Sequence, residues 1–270
     1  MKRWLAAAIL LSSAFGADNR LSPEEAKTGW VLLFDGQTMK GWRDPASRTP
    51  PGDAWTIEDG CLTTRPGARL AEDLITEESY GDFELVFDWR VAPRGNTGVK
   101  YRIQRLIFLD ESKAQPGPGG FEGMLGREFL NPRSDRAKIA EGARGQEYVV
   151  AFEMQLIDDD GHPDAKNGPD RRTGALYAML PPTSSPARPA GQWNTGRIVV
   201  RGDHVEHWIN GVKVLEASLS APEVRDGIAR RWKAAPEIGR MLSEPKPTGP
   251  ISLQYHGDKV WFRNLKLRRL

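Results

Sequence analysis

The chain has one cysteine, Cys61, in 270 residues, so no internal disulfide can staple it and its stability must come from a buried core. Long apolar runs are also missing: beyond the N-terminus no stretch approaches the ~20 apolar residues that cross a bilayer as a helix. Charge of one sign is nowhere concentrated. With 38 basic and 36 acidic residues and a formal net charge of +2, both signs are spread along the chain, and no basic block suits a phosphate backbone. Nucleic acid is therefore not expected as a partner, nor is a nucleotide cofactor. No internal repeat with a period of about 20–50 residues is present, which sets aside repeat architectures.

What is abundant points to strands. Nine tryptophans favour sheets, while 28 glycines and 20 prolines punctuate the chain into short elements and turns. At the N-terminus, the basic Met1-Lys2-Arg3-Trp4 precedes the apolar run Leu5 to Leu11 and the small residues Ser12 to Ala17. That order is the pattern of a secretory signal peptide over residues 1–17, so a soluble periplasmic or secreted protein is expected, with no membrane insertion after signal removal. Residues 18–27 are expected to form a polar linker with one helical turn at Ser22-Pro23-Glu24-Glu25. Residues 28–270 are expected to form one domain, a size that β-sandwiches reach.

The run Tyr148 to Asp160 reads as a long central strand. Val150, Phe152, Met154 and Leu156 point one way, and Ala151, Glu153, Gln155 and Ile157 the other. In the run Gly98 to Ile103, Lys100 and Arg102 alternate with Val99, Tyr101 and Ile103; in Ile251 to His256, Gln254 and His256 alternate with Leu253 and Tyr255. If these strands share a sheet, one face collects Lys100, Arg102, Glu153, Gln155, Gln254 and His256. Such a face is either the solvated side of an antiparallel sheet or a polar ligand site.

Around these strands the pattern repeats. Phe83, Leu85, Phe87 and Trp89 alternate inward, and Asp59-Gly60 and Asn210-Gly211 sit between apolar runs as two-residue hairpin turns. About a dozen short strands predict an all-β sandwich of two antiparallel sheets, in a jelly-roll form with a concave polar groove. Residues 110–146 are rich in Gly, Pro and charge, and are expected to be a lid or disordered. His162, His204 and His207 are expected at the surface or in packing.

The ordered set Leu33-Phe34-Asp35-Gly36, Gly41-Trp42, Asp73-Leu74-Ile75-Thr76, Gly95-Asn96-Thr97-Gly98, Phe152-Glu153-x-Gln155-x-x-Asp158, Thr173-Gly174-Ala175-Leu176-Tyr177, Trp208-Ile209-Asn210-Gly211, Leu253-Gln254-x-His256-Gly257 and Phe262-Arg263-Asn264 resembles the 3-keto-disaccharide hydrolase domain family over roughly residues 28–270. The resemblance implies a concanavalin A-like jelly roll acting on 3-keto-glycosides. The chain departs from it at Tyr255, where an Asp is usual, at Thr97, where Ser is commoner, and in a longer 110–146 segment.

A ketone at C3 acidifies the C2 hydrogen, so a base can remove it and the aglycone can leave from C1, with water adding afterwards. His256 is the candidate base, since imidazole titrates nearest neutral pH. Glu153 is the alternative base or a ligand to a divalent metal, with Asp158 as a second ligand or a loop anchor and His256 completing that set. Arg102 and Lys100 are expected to hold the oxyanion or sugar hydroxyls, and Asn96, Gln155 and Gln254 to bind hydroxyls. Trp42, Trp55 and Trp193 are either core residues or platforms for sugar rings. A lectin-like module without catalysis and a conventional glycosidase, which would need two carboxylates about 5 Å apart, are the competing readings.

Overall fold

In the computed structural model, which describes residues 18–47, 49–50, 52–113 and 117–270, strands dominate and two sheets pack face to face. The expected signal segment lies outside the described residues. Residues 18–27 are tied to the body instead of forming a linker: the Asn19 N–H donates to Asn264 Oδ1 at 2.6 Å, and Lys266 Nζ donates to Glu25 at 2.8 Å. The polar composition that suggested a linker supplies these pairs. Helix α1 (Pro23–Lys27) starts at a capping box in which the Ser22 hydroxyl and the Glu25 carboxylate each accept the other residue's N–H.

The chain then runs through β1 (Trp30–Leu32), β2 (Trp42–Arg43), β3 (Trp55–Glu58), β4 (Cys61–Thr64), β5 (Leu70–Glu72), β6 (Leu74–Thr76), β7 (Phe83–Val91) and β8 (Asn96–Asp110). After α2 (Gly120–Leu130) come β9 (Gly145–Ile157), β10 (Asn194–Arg201), β11 (His204–Ile209) and β12 (Val212–Ser218). Helices α3 (Pro222–Arg231) and α4 (Pro236–Ser243) precede β13 (Ser252–Leu253) and β14 (Val260–Arg269). One sheet has the order β12-β11-β10-β7-β14-β4-β3, with β1 also on β14; the other is β2-β6-β13-β8-β9-β5. Both are antiparallel except for β5 beside β9. The hairpin turns form where expected, with positive φ at Asp59, Gly60, Asn210 and Gly211.

The core between the sheets is the apolar half of the alternating strands. Val150, Phe152, Met154 and Leu156 of β9, with Val99 and Tyr101 of β8, face Phe83, Leu85, Phe87 and Trp89 of β7, and all are buried. Gly196 sits opposite Phe87 in the β10–β7 register, and a Cβ there would overlap the Phe87 ring. Gly196→Ala is therefore expected to destabilise the fold by about 1–3 kcal/mol, the usual range for overpacking; denaturant melting reads it, and an unchanged midpoint would show that the ring yields without cost.

The described residues of the 110–146 segment are more ordered than their composition suggests. Strand β8 continues to Asp110, α2 buries Leu125, and Glu128 Oε1 accepts the N–H groups of Arg133 and Ser134 at 2.6 Å each. Helices α3 and α4 carry Val224, Ile228 and Trp232, then Ile238 and Leu242, at helical spacing and all buried. Helix α2 packs on β8 and α4 on β9, so these helices cover much of the outer face of the second sheet.

Candidate active site

That cover changes what the polar face of β8, β9 and β13 is. Across the second sheet the outward residues align in rows: Ile75, Ser252, Lys100 and Glu153 are in register from β6 to β9. In the next row Gly98 pairs with Gln155, and the Gln254 N–H donates to the Gly98 carbonyl. These side chains are not solvated. Lys100 is 3% exposed, Glu153 5% and Gln155 1%, so the charges lie in a buried pocket and not on an open sheet. Gly98 is required here, because a Cβ would run into the Glu153 carboxylate lying over it.

The cavity has a volume of about 260 Å³. Of the residues expected in a site, Asn96, Lys100, Glu153, Gln155, Gln254 and His256 all line it. Glu153 and Lys100 form its floor, while His256, with a side chain 45% exposed, stands at the rim beside Asp258 at 3.4 Å. The Lys100 ammonium donates to Asp73 Oδ2 at 2.8 Å and lies 5.5 Å from the centre of the Tyr148 ring. Gln254 Nε2 donates to Glu153 Oε2 at 3.4 Å. Burial pushes the Glu153 carboxyl above its ordinary value, against the pull of Lys100 and Arg231. Burial disfavours the Lys100 charge too, but Asp73 and then Glu153 outweigh it and raise the ammonium above its ordinary value.

Three acceptors in this pocket find no donor among the described residues: Asn96 Oδ1, Gln155 Oε1 and Gln254 Oε1 are buried there without a hydrogen-bond partner. A buried polar atom left unpaired costs about 1–3 kcal/mol, so three around one cavity mark a place where a ligand rich in hydroxyl groups completes the network.

Two expected members are elsewhere. Arg102 does not follow Lys100 into the pocket, because Arg102, Ile103 and Gln104 stand against Ala151 alone in a bulge of β8, with Arg102 at φ +52°. Its Nη2 donates to the Gly202 carbonyl at 2.8 Å and approaches Asp82 at 3.4 Å, joining the two sheets at their far edge. Asp158 is a loop anchor: Oδ2 accepts the Arg94 N–H at 2.7 Å, and Oδ1 the N–H groups of Gly161 and Asp160 at 3.0 and 3.3 Å.

The expected metal set of Glu153, Asp158 and His256 is thus not assembled. His256 instead stands with His162 and Asp258, their nearest donor atoms within 4.8 Å of one another. His162 fits a metal poorly: its Nδ1 accepts the Asp164 N–H at 3.0 Å, which leaves the neutral ring's proton on Nε2, the nitrogen turned to Asp258.

The aromatic candidates are also accounted for. Trp42 and Trp55 are core, their indole N–H groups donating to the Leu33 and Glu72 carbonyls. Trp193 lies outside the pocket with Arg263 and Arg90 stacked on its ring at 4.2 and 4.9 Å. His207 is a packing residue, buried between the Tyr101 hydroxyl and the Gly174 carbonyl at 2.9 Å each, and burial pushes it down to about 4.

Several pocket residues escaped the alternation argument. Asp73 comes from the link between β5 and β6, Phe121 and Glu122 from α2, and Arg231 from the end of α3. Arg231 donates to the Tyr148 hydroxyl at 2.9 Å and lies over the Tyr177 ring at 4.6 Å. Glu147, also lining the pocket, sits beside Glu72 in the parallel β5–β9 register; both are pushed up to about 7 by burial, and Arg136 bridges them with Asp44. The signal for α3 and α4 was present in the spacing of Val224, Ile228 and Trp232; Asp73 stood in the family-like Asp73-Leu74-Ile75-Thr76 motif, which gave it no role.

The two packed sheets and the buried pocket on the outer face of one of them define a β-sandwich protein with a polar ligand-sized site. Comparison with known proteins narrows this. The chain belongs to the 3-keto-α-glucoside-1,2-lyase-like domain family, whose model matches residues 29–268. It is 32% identical over 256 residues to the 3-keto-disaccharide hydrolase of Bacteroides thetaiotaomicron, covering 90% of this chain and 79% of that protein. Among solved structures it is similar to a proposed glycosyl hydrolase of Parabacteroides distasonis, at 27% identity and a TM-score of 0.67 over 94% of this chain and 100% of the other. A second such protein from that organism, at 22% identity and a TM-score of 0.56 over 89% of this chain and 99% of the other, shares the fold.

Proposed function

We propose that this protein cleaves 3-keto-glycosides, with Glu153 removing the C2 proton and the aglycone leaving from C1. The observation that carries the reading is the cavity itself: a buried carboxylate and a buried ammonium surrounded by unpaired amide oxygens. Its volume of about 260 Å³ suits one sugar ring, with the second moiety at the rim. Sugar hydroxyls donate to Asn96, Gln155 and Gln254, which fixes the ring.

The chemistry follows from the placement of the charges. The C3 ketone lies toward the floor, where Lys100 stabilises the negative charge that develops on its oxygen. The C2–H bond breaks toward Glu153, and its electron pair forms the enolate. Collapse of the enolate re-forms the ketone, makes the C1–C2 double bond and expels the C1 oxygen, which takes a proton from His256 at the rim. Water then adds at C1, returning one proton to His256, while Glu153, its proton exchanged with solvent after the aglycone has left, protonates C2. The net change is hydrolysis. Burial favours this use of Glu153, because a carboxyl held above its ordinary value is a stronger base.

Paired substrates test the reading. A glycoside and its 3-keto form are incubated with the protein, and turnover of the keto form alone is expected. Equal turnover of the unoxidised glycoside would indicate a conventional glycosidase, and binding without turnover of either a lectin-like module. The N-terminal pattern of residues 1–17 supports an exported protein. N-terminal sequencing of protein recovered from the periplasm or medium is expected to start near residue 17, and an intact Met1 there would contradict export by signal cleavage.

A further inference from the structure

Asp73 is the one pocket carboxylate whose partners are all fixed by the fold. Its Oδ1 accepts the Tyr255 N–H at 3.0 Å, and its Oδ2 accepts the Lys100 ammonium at 2.8 Å and the Ser252 hydroxyl at 2.9 Å. Tyr255 is itself immobile: its hydroxyl accepts the Ala68 N–H at 3.1 Å and donates to the Arg65 carbonyl at 2.9 Å. Two separate segments of chain, β8 and the stretch from Ser252 to Tyr255, therefore hold one carboxylate, 3% exposed, with its cation in register with Glu153. A buried ion pair of this kind is not needed for stability, since apolar residues of similar volume often do as well. Its directed geometry, on a lysine that stands in register with Glu153 across the sheet, fits a different purpose.

We propose that Asp73 is a positioning residue of this site: it fixes the Lys100 ammonium at the pocket floor and thereby sets how readily Glu153 exchanges a proton with the substrate. The inference rests on the proposed use of Glu153 as the base. Asp73 acts on Glu153 in two ways. It competes for the Lys100 charge, and its own negative charge opposes a second one on Glu153. Without it, Glu153 becomes the nearest anion to an ammonium still seated against the Tyr148 ring. Glu153 would then be a weaker base, deprotonated at lower pH. The other charged or titratable groups facing Glu153 are Arg231 from α3, His256 from beyond β13, and Tyr148 and Tyr177; Glu122 and Glu147 complete the lining. Of these, Glu147 also feels Asp73, whose charge helps to raise its carboxyl, so its resonance is followed beside that of Glu153.

The test is a 13C carboxyl NMR titration of Glu153, its resonance identified by its absence in Glu153→Gln, in the wild type and in Asp73→Asn. The Glu153 midpoint is expected to fall by about one pH unit, the lower end for a change in a neighbouring charge. The acid limb of kcat/KM on a 3-keto-glycoside is expected to move with it, and Asp73→Glu should restore both. A midpoint that is unmoved or raised overturns the proposal. Should Asp73→Asn not fold, Asp73→Ser, which keeps a hydroxyl for the Tyr255 N–H, carries the same expectation. The NMR shift needs no turnover: a moved midpoint in a protein inactive on keto-glycosides would keep the hold of Asp73 on Glu153 and remove the proposed reaction.

Discussion

Glu153→Gln is expected to lower turnover of a 3-keto-glycoside by at least ~100-fold, the low end for loss of a general base. The amide keeps the size and most hydrogen-bonding capacity of the carboxylate but cannot take the C2 proton. Lys100 retains Asp73 at 2.8 Å, so the substitution leaves no unpaired charge on the pocket floor. It also removes a carboxylate whose charged form burial disfavours. The melting temperature is therefore expected to hold or rise slightly. Steady-state kinetics and thermal melting check both halves, and wild-type-like turnover would move the chemistry away from this residue.

Lys100→Met is expected to be the more damaging change, costing about 3–5 kcal/mol of stability as well as turnover, because it leaves Asp73 and Glu153 buried with no cation between them. The defect should depend on pH with a definite sign. The Glu153 carboxyl is already raised in the folded state, and without the ammonium it is raised further. The folded chain then binds more protons than the unfolded one, so stability falls as pH rises from the ordinary carboxyl value of 4.5 through the raised one. Denaturant melts of Lys100→Met at pH 5 and pH 8 are expected to differ more than those of the wild type, with the variant weaker at pH 8. A pH-independent loss would mean that packing around the lysine stem, and not charge, accounts for the effect.

The period of two in β7, β8 and β9 placed the core correctly, because the residues that alternate inward there are the ones the two sheets bury. The same alternation brought Lys100, Glu153, Gln155 and Gln254 to one face. It failed at Arg102, where three residues of β8 oppose one of β9 and the register slips; no residue type announces that bulge. It also left the environment of the face open between solvent and a ligand site. An alternating strand looks half-solvated, and only the helices packed over it make the face a pocket. Those helices were partly legible. Val224, Ile228 and Trp232 lie at helical spacing behind Pro222, but α2 carries Gly120, Gly123 and Gly126, and its composition reads as loop.

Asp158, read from the sequence as a second metal ligand or a loop anchor, is the anchor: β9 ends at Ile157, and the carboxylate turns back onto the backbone of its own loop and of Arg94. The role of Asp73 could not be read from its motif: it lies between two three-residue strands, and its place in the site depends on contacts with Lys100, Ser252 and Tyr255, from 27 to 182 positions away. Tyr255, where the family more often has an acidic residue, does not add a charge to the site. It props the loop at Arg65 and Ala68 and offers its N–H to Asp73.

Proton abstraction at C2 leaves an isotopic record. A 3-keto-glycoside is cleaved in D₂O, and the released keto sugar is examined by NMR or mass spectrometry against an enzyme-free control for background exchange. Elimination through Glu153 predicts solvent deuterium at C2 of the product, formed at the rate of cleavage and lost with Glu153→Gln. Cleavage that leaves the original hydrogen at C2 would contradict the account, because the bond at C1 would then have broken without the base on the pocket floor.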